Sequence, residues 1–415
     1  MEENILCHIV LLGQSLSMGF ATEHCLKPLK FKNAYMFKQV RTQDFGYIFG
    51  ITKDEYNKNP ERYEKEFYGA LNPICETGGK GDNEKCWESA SPNEYETPAS
   101  GIVYGLWEAY KNNGYSGFPY KVLISAPGIG GTDIREYGVR TRIYERTKKD
   151  IENGKRLAKK QGLKYKVLAF VWMQGENNYN DTEEWYYSEL IKTIKLYREL
   201  AVCVTGNSSK IPFVSYQTMG QKSYYPTVSQ APALAQFAIA SDSENQFYLT
   251  APCYQFETYI DKIHMTAVSS RNIGILIGET IYEILNNEYK LFKPRVCVYD
   301  NEAILEFPFN IKLDLDGVLS SHNKERVFLN GGFFCYDDND CLLNTKVECN
   351  ENGKTLIVHC NKTIRRIVYG YDLSEDNYSQ YTYGGAVRTE QDFNTCDKAI
   401  GCYMPVQCIY CRDRC

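Results

Sequence analysis

Apolar residues in the first two-thirds of the chain fall into short continuous runs, at residues 5–12, 120–125, 166–173 and 211–216, with a shorter one at 246–250. Rich in β-branched and bulky side chains and lacking polar alternation, such runs read as strands buried on both faces. Between them lie stretches of helical period over 98–113, 142–161, 182–201, 231–241 and 269–286. Thr97 and Pro98 supply a cap and a first-turn proline, while Gly114 and Gly162 supply stops. Strands alternating with helices at this spacing predict a parallel sheet covered on both sides. Residues 20–44 read as an irregular loop. Residues 45–96 read as a polar insertion, the kind of long segment that tends to serve as a functional loop.

After Asn287 the helical period disappears. Residues 296–309, 326–336, 355–360 and 365–371 read as short strands between Asn, Asp and Gly turns, an all-β, sandwich-like appendage. A chain of 415 residues exceeds one compact core. The expected division is therefore 1–290, an α/β domain carrying the 45–96 insertion, and 291–415, a β-rich accessory domain.

Lys+Arg 47 against Asp+Glu 52 leaves a net charge of −5 and argues against a nucleic-acid partner. Thirty-four tyrosines would suit a glycan-binding surface, although a bias towards Tyr, Lys and Asn accounts for them equally simply. The start, Met1-Glu2-Glu3-Asn4, is acidic where a signal peptide would be basic, and no apolar run reaches membrane-spanning length. Sixteen cysteines, nine of them from Cys335 onward, leave two expectations open: disulfides in an oxidising setting, or reduced thiols. Cys402, Cys408, Cys411 and Cys415 are too irregularly spaced to predict a zinc site. No metal or cofactor is expected.

The first apolar run empties into Gly13-Gln14-Ser15, which sets a serine hydroxyl at a strand's carboxyl end, where open α/β sheets bind ligands. The second run empties into Gly128-Ile129-Gly130-Gly131-Thr132 and the third into Gln174-Gly175-Glu176-Asn177, so three turns converge on one sheet edge. Serine ester hydrolysis also needs a base, an orienter for it, and oxyanion donors. Of five histidines, His8 lies inside a strand, His24 in a loop without partner spacing, and His322 and His359 in the appendage. His264 follows Asp261 by three residues, a spacing that can set the carboxylate on Nδ1 and leave Nε2 to face the serine. Gly130 or Gly131 can bring an unobstructed N–H to the reacting carbonyl, and Gln174 carries an amide N–H that could do the same.

Gly-Gln-Ser, Gly-Gly-Thr, Trp-x-Gln-Gly-Glu and Asp-x-x-His, in this order over residues 4–287, resemble the blocks of the SGNH hydrolases. More narrowly, they resemble the sialate O-acetylesterase-like and acetylxylan-esterase branch of carbohydrate esterases. The resemblance implies a flavodoxin-like three-layer α/β/α fold and cofactor-free removal of acetyl groups from O-acetylated glycans. It implies Ser15 as nucleophile, His264 as base and Asp261 as orienter. It places the N–H groups of Ser15 and Gly130 (or Gly131) and the amide of Gln174 at the oxyanion, with Asn177 an alternative to Gln174. Gln14, Gly131, Glu176 and Asn177 fall near the site as substrate-binding or structural residues, Glu176 being expected to hold the serine or glycine turn.

Asn177-Asn178 departs from the branch's commoner Ser/Asn-Asp. Leu16-Ser17-Met18 resembles esterase domains of phage tails, which would reconcile a missing signal with action on cell-surface glycans. The rival readings are a glycan-binding or virion protein with a degenerate esterase fold, and a lipase or thioesterase of the same superfamily. A greasy acyl pocket would mark the latter, against a polar insertion here. The appendage is expected to bind glycan or to build a homo-oligomer.

Overall fold

The computed structural model describes residues 4–19, 26, 29, 31–41, 52–74, 96–207, 210–218, 230–259, 261, 263–314, 328–371, 384–394, 399–405 and 407–410. Most of the expected 45–96 insertion, His24, His322, Cys411 and Cys415 lie outside these residues.

Seven strands form the main sheet: β1 (Ile5–Gly13), β2 (Ala34–Met36), β3 (Asn72–Pro73), β4 (Lys121–Ser125), β5 (Lys164–Met173), β6 (Phe213–Gln217) and β7 (Phe247–Pro252). Their order is β3-β2-β4-β1-β5-β6-β7, parallel throughout except for β3, which pairs antiparallel with β2. The core order β4-β1-β5-β6-β7 is the doubly wound, flavodoxin-like arrangement, with its ligand edge at the strands' carboxyl ends.

Period-two alternation along β1 sends Cys7, Ile9 and Leu11 to one side and Val10 and Leu12 to the other. The first side packs on α3 (Pro98–Asn112) and α7 (Ala267–Leu285); the second packs on α4 (Arg142–Lys160), α5 (Glu183–Thr205) and much of α6 (Ala231–Ala240). Two short helices, α1 (Lys53–Lys58) and α2 (Pro60–Phe67), stand where the sequence was read as a polar insertion. Thr52 and Glu55 form a capping box for the first, and Asn59 caps the second ahead of Pro60.

Helices α3 and α7 meet along a glycine seam. A Cβ at Gly101, Gly105, Gly274 or Gly278 would stand 2.0, 2.1, 2.1 or 2.2 Å from a backbone oxygen of the opposite helix or its leading residue. Beside the seam Arg271 donates to Glu96 at 2.6 Å, with both side chains buried.

The C-terminal region is antiparallel, as expected, but more finely divided. The single strand read over 296–309 is a hairpin, β8 (Arg295–Tyr299) with β9 (Glu302–Glu306), followed by β10 (Ile311–Leu313). Then come β11 (Phe333–Tyr336), β12 (Thr345–Cys349), β13 (Thr355–Cys360), β14 (Arg366–Tyr369), β15 (Val387–Asn394), β16 (Ala399–Tyr403) and β17 (Gln407–Tyr410). They make three sheets, β12-β13-β9-β8, β11-β14-β17 and β10-β15-β16, around one core that includes Leu305, Phe333, Ile367, Val387 and Met404. Cys297 is disulfide-bonded, whereas Cys335 and Cys360 are buried thiols outside any disulfide.

The β region also joins the α/β core. Phe334, Tyr336, Val368 and Tyr403 pack in the same cluster as Cys253, Tyr254 and Phe256 just past β7. Tyr254 donates to Met404 O at 2.7 Å, and Gln255 both donates to Gly401 O (3.2 Å) and accepts from Tyr403 N–H (3.0 Å). Among the described residues no helix is long and apolar enough to cross a membrane.

Candidate active site

Three adjacent strands, β4, β1 and β5, deliver their loops to one edge. Gln14 N–H donates to Met173 O (3.0 Å), tying the end of β1 to the end of β5, and Ile129 N–H donates to Gly13 O (3.2 Å), tying in the β4 loop. Glycine is needed where the loops cross: a Cβ on Gly128 would lie 2.4 Å from Gly13 O and 2.6 Å from Ser17 Oγ. Ser15 opens a 3-10 turn, Ser15–Met18, whose internal bonds leave the first N–H groups unused. It is 7% exposed. Gln14 is buried, and its carbonyl accepts from Ser17 Oγ at 2.7 Å.

Across from the serine lies the β4 loop. A Cβ placed on exposed Gly130 would come 4.0 Å from Ser15 Cβ, so the two backbones face each other with one small group's room between them. Gly131 takes φ 71°, the left-handed conformation that glycine adopts without strain. Neither Ser15 nor Gly130 N–H has a hydrogen-bond partner among the described residues.

The turn after β5 holds that loop in place. Exposed Asn177 donates from Nδ2 to Gly131 O (2.9 Å). Gln174 is fully buried: its amide donates to Thr132 O (3.3 Å) and Asn178 Oδ1 (2.5 Å), and its oxygen accepts from Tyr186 OH (2.9 Å). Both of its amide hydrogens are thus directed into the scaffold, not the loop cleft. Asn178, also fully buried, donates to Asp133 (2.9 Å) and Asp181 (2.8 Å) and accepts from Ile134 N–H (3.1 Å). Asn178, the departure from the commoner aspartate, donates from its amide to two carboxylates, a role an aspartate there would not fill.

Glu176 does not hold the serine or glycine turn. Its carboxyl accepts from Tyr216 OH and from Thr218 Oγ1 (2.6 Å), both at the end of β6. Burial pushes its pKa up, against the lowering effect of those two bonds and of nearby His264.

His264 and Asp261 stand in the loop between β7 and α7. Asp261 Oδ1 accepts from the N–H groups of Ile263 (3.0 Å) and His264 (2.9 Å), while Oδ2 takes the ring Nδ1 at 2.6 Å. Burial would raise the Asp261 carboxyl, but the hydrogen bonds from the His264 ring and the two amides outweigh it and hold it below its usual range. With Nδ1 taken, Nε2 is the nitrogen that faces away from the carboxylate. Thr266 caps α7 immediately afterwards, accepting from Ser269 N–H, so the imidazole sits at the foot of a buried helix. His8, by contrast, is enclosed within the sheet between Tyr165 OH (2.7 Å) and Ser125 Oγ (2.9 Å). Among the described residues no group of three or more His, Cys, Asp or Glu is placed to hold a metal.

Residues 118–283 match the family described as carbohydrate esterase, sialic acid-specific acetylesterase. The stretch contains Gly130, Gln174, Glu176, Asp261 and His264; Ser15 lies upstream of it. No curated protein matches the sequence. Among solved structures, XAC1771, a carbohydrate acetylesterase from Xanthomonas citri, aligns at TM-score 0.51 and 12% identity over 97% of this chain and 80% of its own, which establishes a shared fold. NanS aligns at TM-score 0.44 and 12% identity over 69% of this chain and 99% of its own. Est24, a carbohydrate acetylesterase from Sinorhizobium meliloti, gives 0.35 and 10% over 68% and 100%. The match covers 166 of the 415 residues, and the chain is a carboxylic ester hydrolase.

Proposed function

We propose that the chain is a serine O-acetylesterase of acetylated carbohydrates, with Ser15 as nucleophile, His264 as general base and Asp261 as orienter. The observation that carries this reading is the Asp261–His264 pair, bonded at 2.6 Å with the carboxylate held ionised, at the sheet edge where β1 presents Ser15. In the proposed cycle His264 Nε2 takes the Ser15 hydroxyl proton as Oγ attacks the acetyl carbonyl. The N–H groups of Ser15 and Gly130 receive the developing oxyanion. The sugar oxygen leaves with the proton from His264, and a water deprotonated by the same nitrogen releases acetate from Ser15. Gln174, whose amide is spent on Thr132 and Asn178, braces the Gly130 loop in this reading, and Asn177 stands nearer the acyl group. The esterase domain takes in residues 1–290, and residues 291–415 form a β-rich accessory domain.

The test is acetate release from O-acetylated sialic acid, acetylated xylan and an acetylated bacterial polysaccharide, using wild type beside Ser15→Ala. Release by wild type alone is expected, and the responsive substrate names the sugar class. A Ser15→Ala protein with near-wild-type turnover would sink the assignment.

A further inference from the structure

A cavity of about 420 Å³ opens away from the serine edge, between α7 and β7 on one side and β10, β15 and β16 on the other. Glu279 and Glu283 point into it from successive turns of α7. Neither carboxyl has a hydrogen-bond or ion-pair partner among the described residues. Like charges four residues apart on a helix repel, and half-burying both compounds that cost.

The charge around them does not relieve it. Glu279 is pushed up to about 8 by burial and then by Glu283 and by Glu108 of α3; Glu283 is pushed up to about 7 by burial and then by Glu288. From the β region the cavity receives Glu390, whose carboxylate takes the Asn310 amide at 2.8 Å, and the Cys402 thiol, which bonds Thr250 O at 2.9 Å and which burial pushes up to about 12. Lys290 is the one cation in the lining among the described residues, exposed at the rim. Phe309 and Phe393 make an apolar wall. A half-open, acceptor-rich, donor-poor chamber with aromatic sides favours an organic cation, whose ammonium supplies donors and charge while its carbon chain covers the rings.

We propose that this cavity binds a small diammonium ligand, a diamine or polyamine, with its nitrogens on Glu279 and Glu283 and its methylenes against Phe309 and Phe393. The two helix positions are about 6 Å apart along the axis, a span that a four-carbon diamine bridges. Binding ionises both carboxyls, so protons leave to the buffer as the ligand enters.

The experiment is calorimetric titration of the full chain at pH 7 with 1,4-diaminobutane and with neutral 1,4-butanediol, each in two buffers of different ionisation heat. Expected are saturable binding of the diamine only, roughly one proton released per ligand, and affinity that rises with pH. Glu279→Gln/Glu283→Gln should weaken binding roughly ten- to hundred-fold while keeping the melting temperature at or above wild type. No saturable heat, an equal response to the diol, or diamine binding without proton release overturns the proposal. If the double variant does not fold, proton release by wild type still decides it.

Discussion

Gly105→Ala tests how tightly the glycine seam sets the position of α7. A methyl there would lie 2.1 Å from Ile275 O, against the 3.4 Å at which ordinary contact begins, a shortfall of about 1.3 Å. The obstacle is helical backbone, which cannot rotate aside as a side chain can. Alanine gains about 1 kcal/mol of helix propensity over glycine. Against this, overpacking costs about 1–3 kcal/mol, and parting the helices also strains the buried Arg271–Glu96 pair, whose outright rupture would cost about 3–5 kcal/mol. Loss wins, by roughly 2–4 kcal/mol net. For an α/β region of this size, with an unfolding entropy of about 0.6 kcal/mol/K, that lowers the melting temperature by roughly 3–7 °C. Thermal unfolding followed by far-ultraviolet circular dichroism reads this, with Gly117→Ala as control, since nothing lies within 4 Å of a Cβ at Gly117. Because α7 starts three residues past His264, displacing it moves the imidazole, and acetate release should fall in the same variant at temperatures where it is still folded. A Gly105→Ala protein melting at or above wild type would refute the packing argument.

Asp261→Asn removes the charge that fixes the His264 tautomer and should cut kcat by about 10²–10⁴-fold with little change in KM; equal loss in Asp261→Asn and a distant surface Asp→Asn would exclude an orienting role. The Asp261 carboxyl is held below its usual 3.8, so its share of loop order is present above that value and is lost only as pH falls through the lowered one; hydrogen exchange of the Ile263 and His264 amides between pH 5 and 2 follows it. His8 behaves oppositely to a histidine that gains an anion. Burial lowers it from 6.5 to about 3, so the unfolded chain binds the proton first, and the neutral ring's contribution is whole above pH 6.5 and declines below it by up to about 1.4 kcal/mol per pH unit. Urea denaturation between pH 7 and 4 should show that slope in wild type and a flatter one in His8→Gln.

The strands of the α/β half were legible because burial on two faces writes itself as unbroken apolar runs: β1 was read as 5–12 and is Ile5–Gly13. Asp261 and His264 were legible because their bond spans three residues, within reach of a spacing argument. Glu176 was not, since its partners Tyr216 and Thr218 come from another strand some forty residues on, and no local spacing encodes that. Asn178 is legible only in part: Gln174 and Asp181 lie within four residues of it, while Asp133 and Ile134 are more than forty away. Among the described residues, helices α1 and α2 carry one fully buried side chain, Phe67, so their apolar face is too narrow to mark a helix; their caps, Thr52 with Glu55 and Asn59 before Pro60, are the available signal. Strand β15 is long but mostly polar, β16 and β17 are only five and four residues long, and the pairing joins segments far apart along the chain, as where β17 pairs with β14.

The hydrogen bond from Tyr254 to Met404 joins residues 150 positions apart, and it bears on timing. On a ribosome adding about 5–20 residues per second, Met404 is made roughly 8–30 s after Tyr254. Once α7 has been made, and for most of that interval, the β7–α7 loop, with Asp261 and His264 on it, has its sheet and its helix but not its outer wall. The last-made strands are therefore a late assembly step for a segment encoded much earlier, and slow synthesis anywhere between the two would lengthen its exposure.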